Sequence, residues 1–159
     1  MFVVVTVGGA ILSSWLLVQY RTRVTFAKRL AARVQLSANE KGELVNIAAL
    51  TSFGWERLFV FPPYTSPEQI RSGLGHSWVF ASLTGIQNSE GHCLLVFTKS
   101  DRVVQHCMFQ RKHGDFTSAD ARLSMVKDNA VFLSKRMKVG FHGSECERLV
   151  VLPLTRDSM

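Results

Sequence analysis

Six residues in the later part of the chain have side chains suited to chemistry: His92, Cys93, His106, Cys107, His142 and Cys146. Histidine and cysteine together ligate zinc, but in close-spaced sets such as C-x2-C. Here His92-Cys93 and His106-Cys107 are adjacent pairs, so on a strand the two members of each pair point to opposite faces. One face then offers two ligands at most, and neither a metal site nor a cofactor is expected. His142 and Cys146 lie in GFHGSEC, where a nucleophilic thiol would need the imidazole at hydrogen-bond distance. Nothing in that stretch raises the cysteine above a structural one. A G-x-S-x-G elbow and a Gly-rich phosphate loop are both missing from the sequence.

A disulfide between Cys93 and Cys107 is the more concrete expectation. Residues 93–98 and 102–109 read as a hairpin joined through Lys99-Ser100-Asp101. A three-residue turn sets Cys93 directly opposite Cys107, with Cβ atoms ~4.5–5.5 Å apart. A turn of two or four residues shifts the register by one and sends the thiols to opposite faces. Export would favour the bridge; the plainer reading is three small core residues, Cys146 included.

These residues need a scaffold, and the most strongly patterned stretch is WERLFVFPPYTSPEQIRSGLG, residues 55–75. Trp55, Phe59 and Phe61 alternate with Glu56, Leu58 and Val60, which reads as a strand covered on both faces. Pro62 and Pro63 cannot donate ladder hydrogen bonds and end it. Ser66 is a natural N-cap, Pro67 takes the first helical position, Gln69 completes a capping box, and Gly75 caps the C-terminus. Residues 77–83 (SWVFASL) are expected as a second strand. Lys127-Asp128-Asn129 reads as a turn between two short strands, with a helix through Met125 as the alternative. Thr117 with Asp120 would cap a helical turn, 140–143 is expected as loop, and 147–152 as a final strand.

Upstream, residues 2–18 form an uncharged, mostly apolar run, near the lower limit of ~17–20 residues for crossing a bilayer. No Lys or Arg precedes the run and no A-x-A cleavage site follows it, so an uncleaved transmembrane anchor over residues 1–20 is favoured above a cleaved signal. The net charge of +7 is concentrated just after it: Arg21, Arg23, Lys28, Arg29 and Arg33 come with no acid among them. The rest has 14 basic and 12 acidic residues, a net of +2. A nucleic-acid-binding domain would carry the excess on its own fold, so no nucleic acid is expected. The basic cluster suits contact with anionic headgroups instead. Apolar Val24, Phe26, Leu30, Ala31 and Val34 have helical spacing, so residues 21–42 read as a basic, solvated stalk and linker, and 43–159 as a single folded domain.

The patterned stretch resembles a family of small bacterial envelope proteins, many of them lipoproteins. They share a Trp, an acidic and a basic residue, and an apolar strand ending in Pro-Tyr-Thr, before a short helix with Leu-Gly. The matching positions here are Trp55, Glu56, Arg57, Phe59, Val60, Phe61, Pro63, Tyr64, Thr65, Ile70, Leu74 and Gly75. The similarity extends through residues 94–104 and Gly114-Asp115-Phe116, about residues 50 to 116 in all. No activity or catalytic residue comes with the resemblance; it implies an exported, membrane-tethered domain. The chain lacks a lipidation cysteine, which fits an anchor helix in its place. The positive-inside rule, with five basic residues after the run, argues for a cytoplasmic domain; the resemblance argues for the extracytoplasmic side of the inner membrane, which is the expectation adopted.

The expected fold is thus α+β: a membrane helix and helical stalk, then a small, mainly antiparallel sheet with one or two short helices. The expected role is a non-enzymatic binding or assembly module at the bacterial cell envelope, its partners membrane lipid and an envelope protein. A small enzyme using Cys/His chemistry and a cytoplasm-facing protein that binds anionic lipid through its stalk are the alternatives. Glu56, Arg57 and Tyr64 are polar residues inside the patterned segment that strand and helix logic leave unexplained, so they are the candidate ligand-binding residues.

Overall fold

Phe26, Leu30 and Val34 recur every four residues, which places them on one face of a helix. In a computed structural model this helix, α1, spans residues 25–36; the structure describes 25–36, 42–117, 123–141 and 144–153. All three apolar side chains are fully buried in the main core. Residues 25–36 of the segment expected as a solvated stalk are therefore a structural helix, and the folded domain begins no later than residue 25. The apolar run at 2–18, Arg21 and Arg23 lie outside the described residues. No helix among the described residues is long and apolar enough to cross a membrane.

The chain continues through β1 (Glu43–Asn46), α2 (Ile47–Leu50), β2 (Arg57–Phe61), α3 (Pro67–Leu74), β3 (His92–Lys99), β4 (Arg102–Gln110), β5 (Leu123–Val126), β6 (Val131–Phe141) and β7 (Ser144–Pro153). Two antiparallel sheets result, one of four strands in the order β4-β3-β2-β5 and one of three in the order β1-β6-β7. The class is α+β.

The four-stranded sheet is the middle layer. Alternation along β2 and β3 sends Leu58, Val60, Cys93, Leu95 and Phe97 to one face, where they pack with α1 and the three-stranded sheet. Phe59, Phe61, Leu94 and Val96 go to the other, under α3 and two 3-10 helices, Val79–Leu83 and Ile86–Asn88. Trp55 departs from the expected alternation. It precedes the strand and packs on the α1 side against Phe97, ring centroids 5.1 Å apart. Phe26 and Phe53 meet the same Phe97 ring edge-on, a geometry aromatic rings favour.

Local chemistry explains α3. Ser66 Oγ accepts the Gln69 N–H, Gln69 Oε1 accepts the Ser66 N–H, Pro67 opens the helix, and Gly75 closes it at φ 75°. Residues 77–83, expected as a strand, instead lead through an extended Trp78 into a 3-10 helix, Val79–Leu83. A three-residue period stacks i and i+3, so Trp78 and Ala81 turn inward together. The segment lies across the sheet's outer face, with the Trp78 ring 4.9 Å from that of His106. The turn at Lys127–Asn129 is present, also as a 3-10 helix, between β5 and β6. β6 runs through Gly140 and Phe141 into the expected loop, and β7 resumes at Ser144.

Gly114 has φ 146°, and a Cβ there would lie 2.6 Å from Val34 Cγ1 and 3.0 Å from Val151 Cγ2. Only glycine lets α1, this turn and β7 approach so closely.

Candidate functional site

The β3–β4 hairpin decides the fate of the two cysteines. Ser100 and Asp101 have φ of 47° and 57°, the positive values of a two-residue type I′ turn, and Lys99 pairs with Arg102. Such a turn alone would send the cysteines to opposite faces. A β-bulge intervenes: Thr98 pairs with Val103 but Phe97 with Gln105, so Val104 is an extra residue. The two one-residue shifts add. Cys93 lies opposite Phe109 and Cys107 opposite Leu95, on one face but two positions out of register. The expected direct pairing is thereby corrected, and no disulfide joins the two buried thiols.

Glu56, Arg57 and Tyr64 are not brought together. Glu56 and Arg57 stand at the hairpin-turn end of the sheet, where Arg57 pairs with Thr98 and Val126. Glu56 Oε2 accepts the Ser100 N–H at 2.9 Å, and its backbone N–H donates to Thr98 O. The carboxylate thus braces the turn. Tyr64 lies beyond the opposite end of β2, after the double proline. It holds φ 62° and donates its N–H to Ile86 O. Left-handed backbone at a non-glycine residue persists where the surroundings over-determine it.

The histidines are also apart. His92 Nδ1 is 2.8 Å from Ser89 Oγ, while His106 lies against Trp78. Among the described residues no group of three or more His, Cys, Asp or Glu could hold a metal ion. His142 lies outside the described residues, and the Cys146 side chain is likewise not described. Of the basic cluster, Lys28 and Arg29 are exposed, and Arg33 Nη1 is 3.7 Å from Glu43 Oε2.

A network absent from the sequence expectations sits at the other end of the sheet. Arg111 donates through Nε at 3.0 Å and Nη2 at 2.6 Å to Oδ2 of the buried Asp115. The Thr117 N–H and hydroxyl donate to Oδ1, and Arg111 Nη1 donates to Glu90 O. Burial pushes the Asp115 carboxyl upward, but the hydrogen bonds from Arg111 and Thr117 outweigh it and hold the group below the usual carboxylate range. Its backbone joins β7 through Leu149 O and Val151 N. Thr117 therefore serves Asp115, and Asp120, its expected helix partner, lies outside the described residues. Nearby, burial pushes the Cys93 thiol up to about 12, with the Asp115 charge adding to the effect. A carboxylate saturated with donors is a poor base, and a thiol held protonated is a poor nucleophile. This corner locks Arg111–His113 onto β7. A cleft of about 610 Å³ opens beside it, lined by Glu90, Gly91, His92, Gln110, Arg111, Lys112 and Leu149.

The other feature suited to binding is apolar. Val79 (78% exposed), Phe80 (59%) and Leu83 (77%) stand out from the first 3-10 helix, and Tyr64 (60%) is exposed as well. Phe80 and Leu83 share a face of the helix through their three-residue spacing. At the entry to this helix, His76 Nδ1 meets Leu74 O at 3.1 Å. Its Nε2 is enclosed and, among the described residues, has no partner.

No family model, curated protein or solved structure matches the chain.

Proposed function

We propose that the protein is a membrane-tethered, non-enzymatic binding module of the bacterial cell envelope, its domain on the extracytoplasmic side. One observation carries the binding role: the exposed Val79, Phe80 and Leu83 on a helix pinned to the sheet by buried Trp78 and Ala81. Exposed large apolar side chains held on a rigid base mark interaction sites more often than scattered ones do. The occupant suited to them is an envelope protein with an apolar contact surface. Membrane tethering is supported by the apolar run at 2–18 and by the resemblance of residues 50–116 to envelope proteins.

A photo-crosslinking side chain at Val79 in intact cells tests this reading. The expected result is a discrete protein adduct that disappears in Phe80→Ser/Leu83→Ser while the thermal midpoint stays unchanged. Crosslinking to lipid alone, or an adduct indifferent to those substitutions, would sink the protein-partner reading. A fusion reporter after Met159 that is active only in the cytoplasm would overturn the assigned side.

A further inference from the structure

α1 enters the domain at one defined place. Phe26, in its first described turn, packs against Phe97 at 5.2 Å and Phe53 at 6.1 Å, and Phe97 lies just before the hairpin turn. At the other end of α1, Val34 sits over Gly114 and Gln35 Nε2 is 2.7 Å from His113 Nδ1. The helix therefore runs antiparallel to β3, with its first turn at the hairpin-turn end of the four-stranded sheet. Residues 19–24 separate the apolar run from α1 and reach about 20 Å when fully extended. With the run embedded in a bilayer, the hairpin-turn end is the part of the domain held nearest the headgroups.

That end exposes Lys28, Arg57, Lys99 and Arg102. Lys127 is there too, its ammonium 5.8 Å above the Trp55 ring. The acids at this end are Glu56, occupied by the Ser100 N–H, Asp101 and Asp128. Cations outnumber anions, and the sequence places Arg21 and Arg23 immediately before the helix. Arg33 belongs to the far end, beside Glu43.

From this geometry we propose that the hairpin-turn end, chiefly Arg57, Lys99 and Arg102 with Lys28, is a docking face for anionic phospholipid headgroups. The inference rests on the tethered reading and adds the folded domain's own surface to the basic cluster near the anchor. Tethering holds the face close, and charge then fixes the domain's orientation on the bilayer. Each basic residue near an anionic surface strengthens the contact about fivefold.

Lysine acylation of the full chain tests it, in nanodiscs of phosphatidylcholine alone and with phosphatidylglycerol added. Lys99 is expected to react about fivefold more slowly or less in the anionic discs, while Lys112, at the opposite end, reacts equally in both. Salt at about 1 M, or Arg57→Glu with Arg102→Glu, is expected to abolish the protection. Equal Lys99 rates in the two wild-type discs, or equal protection of Lys112, would overturn the proposal. Carbonate extraction separates the two levels. Release of the chain from membranes overturns the tethered reading and this inference together; retention with Lys99 unprotected overturns the inference alone.

Discussion

Asp115 is buried, its carboxylate accepts from both Arg111 and Thr117, and the pairing with Arg111 depends on its charge. Asp115→Asn keeps the shape but leaves Arg111 without its counter-ion. A loss of about 2–3 kcal/mol is expected in urea denaturation, moderated because Arg111 reaches solvent. Its lowered pKa fixes the sign of the acid response. The unfolded carboxyl, near ~3.9, takes up a proton before the folded one does. The contribution of Asp115 is therefore complete above that pH and fades as pH falls through the folded value; the Asn variant should lack this limb. Cys93 gives the opposite limb. Its folded pKa of about 12 exceeds the unfolded value, so stability should decline as pH rises from ~8.5 toward that value. Stopped-flow thiol labelling is expected to find Cys93 inert in the folded protein and reactive in denaturant. Peptide mapping without reductant should recover no Cys93–Cys107 linkage.

Among the elements, α1 separates the stalk expectation from the observed core helix. Leu30→Ala should cost about 2–5 kcal/mol, as for any fully buried leucine, whereas Lys28→Ala on the exposed face should stay within ~0.5 kcal/mol. A solvated stalk would show no such difference. The turn beneath α1 is as sensitive: Gly114→Ala drives a methyl into Val34 and Val151 at an unfavourable φ, and about 2–4 kcal/mol is expected from strain and overpacking. α3 depends on local chemistry, and Ser66→Ala should remove about 1 kcal/mol by breaking the capping box. The thermal midpoints of these variants can be compared on one scale.

At the scale of the molecule, the described domain is three layers: α3 with the 3-10 helices, the four-stranded sheet, then α1 with the second sheet. Removing α1 would take Phe26, Leu30 and Val34 out of the main core and strip Phe97 of its Phe26 contact. A chain starting at residue 43, the expected domain boundary, should therefore lose cooperative unfolding by calorimetry, while one starting at residue 21 should retain it. A sharp transition in the shorter chain would show that α1 is dispensable.

Features written in short-range chemistry were legible from residue order. The β2 strand, the double-proline stop, the capped α3 and the turn at Lys127–Asn129 each depend on neighbours within a few positions, and each is present. The mixed α+β class followed from those elements. Residue order alone did not reveal where segments meet. The alternation of SWVFASL suits a strand, yet docking of Trp78 and Ala81 onto the sheet face imposes a three-residue period. Charge near α1 suggested solvent exposure, because nothing local shows that Phe26, Leu30 and Val34 have a sheet to cover. The cysteine register turned on a bulge at Val104, and Arg111 found Asp115 only because a 3-10 turn folds one over the other. Glu56, left over as a candidate ligand group, finds a role in holding the hairpin turn across the sheet. Apart from the Arg111–Asp115 pair, four residues apart, these outcomes depend on contacts between residues distant in sequence, whose energies no local pattern encodes.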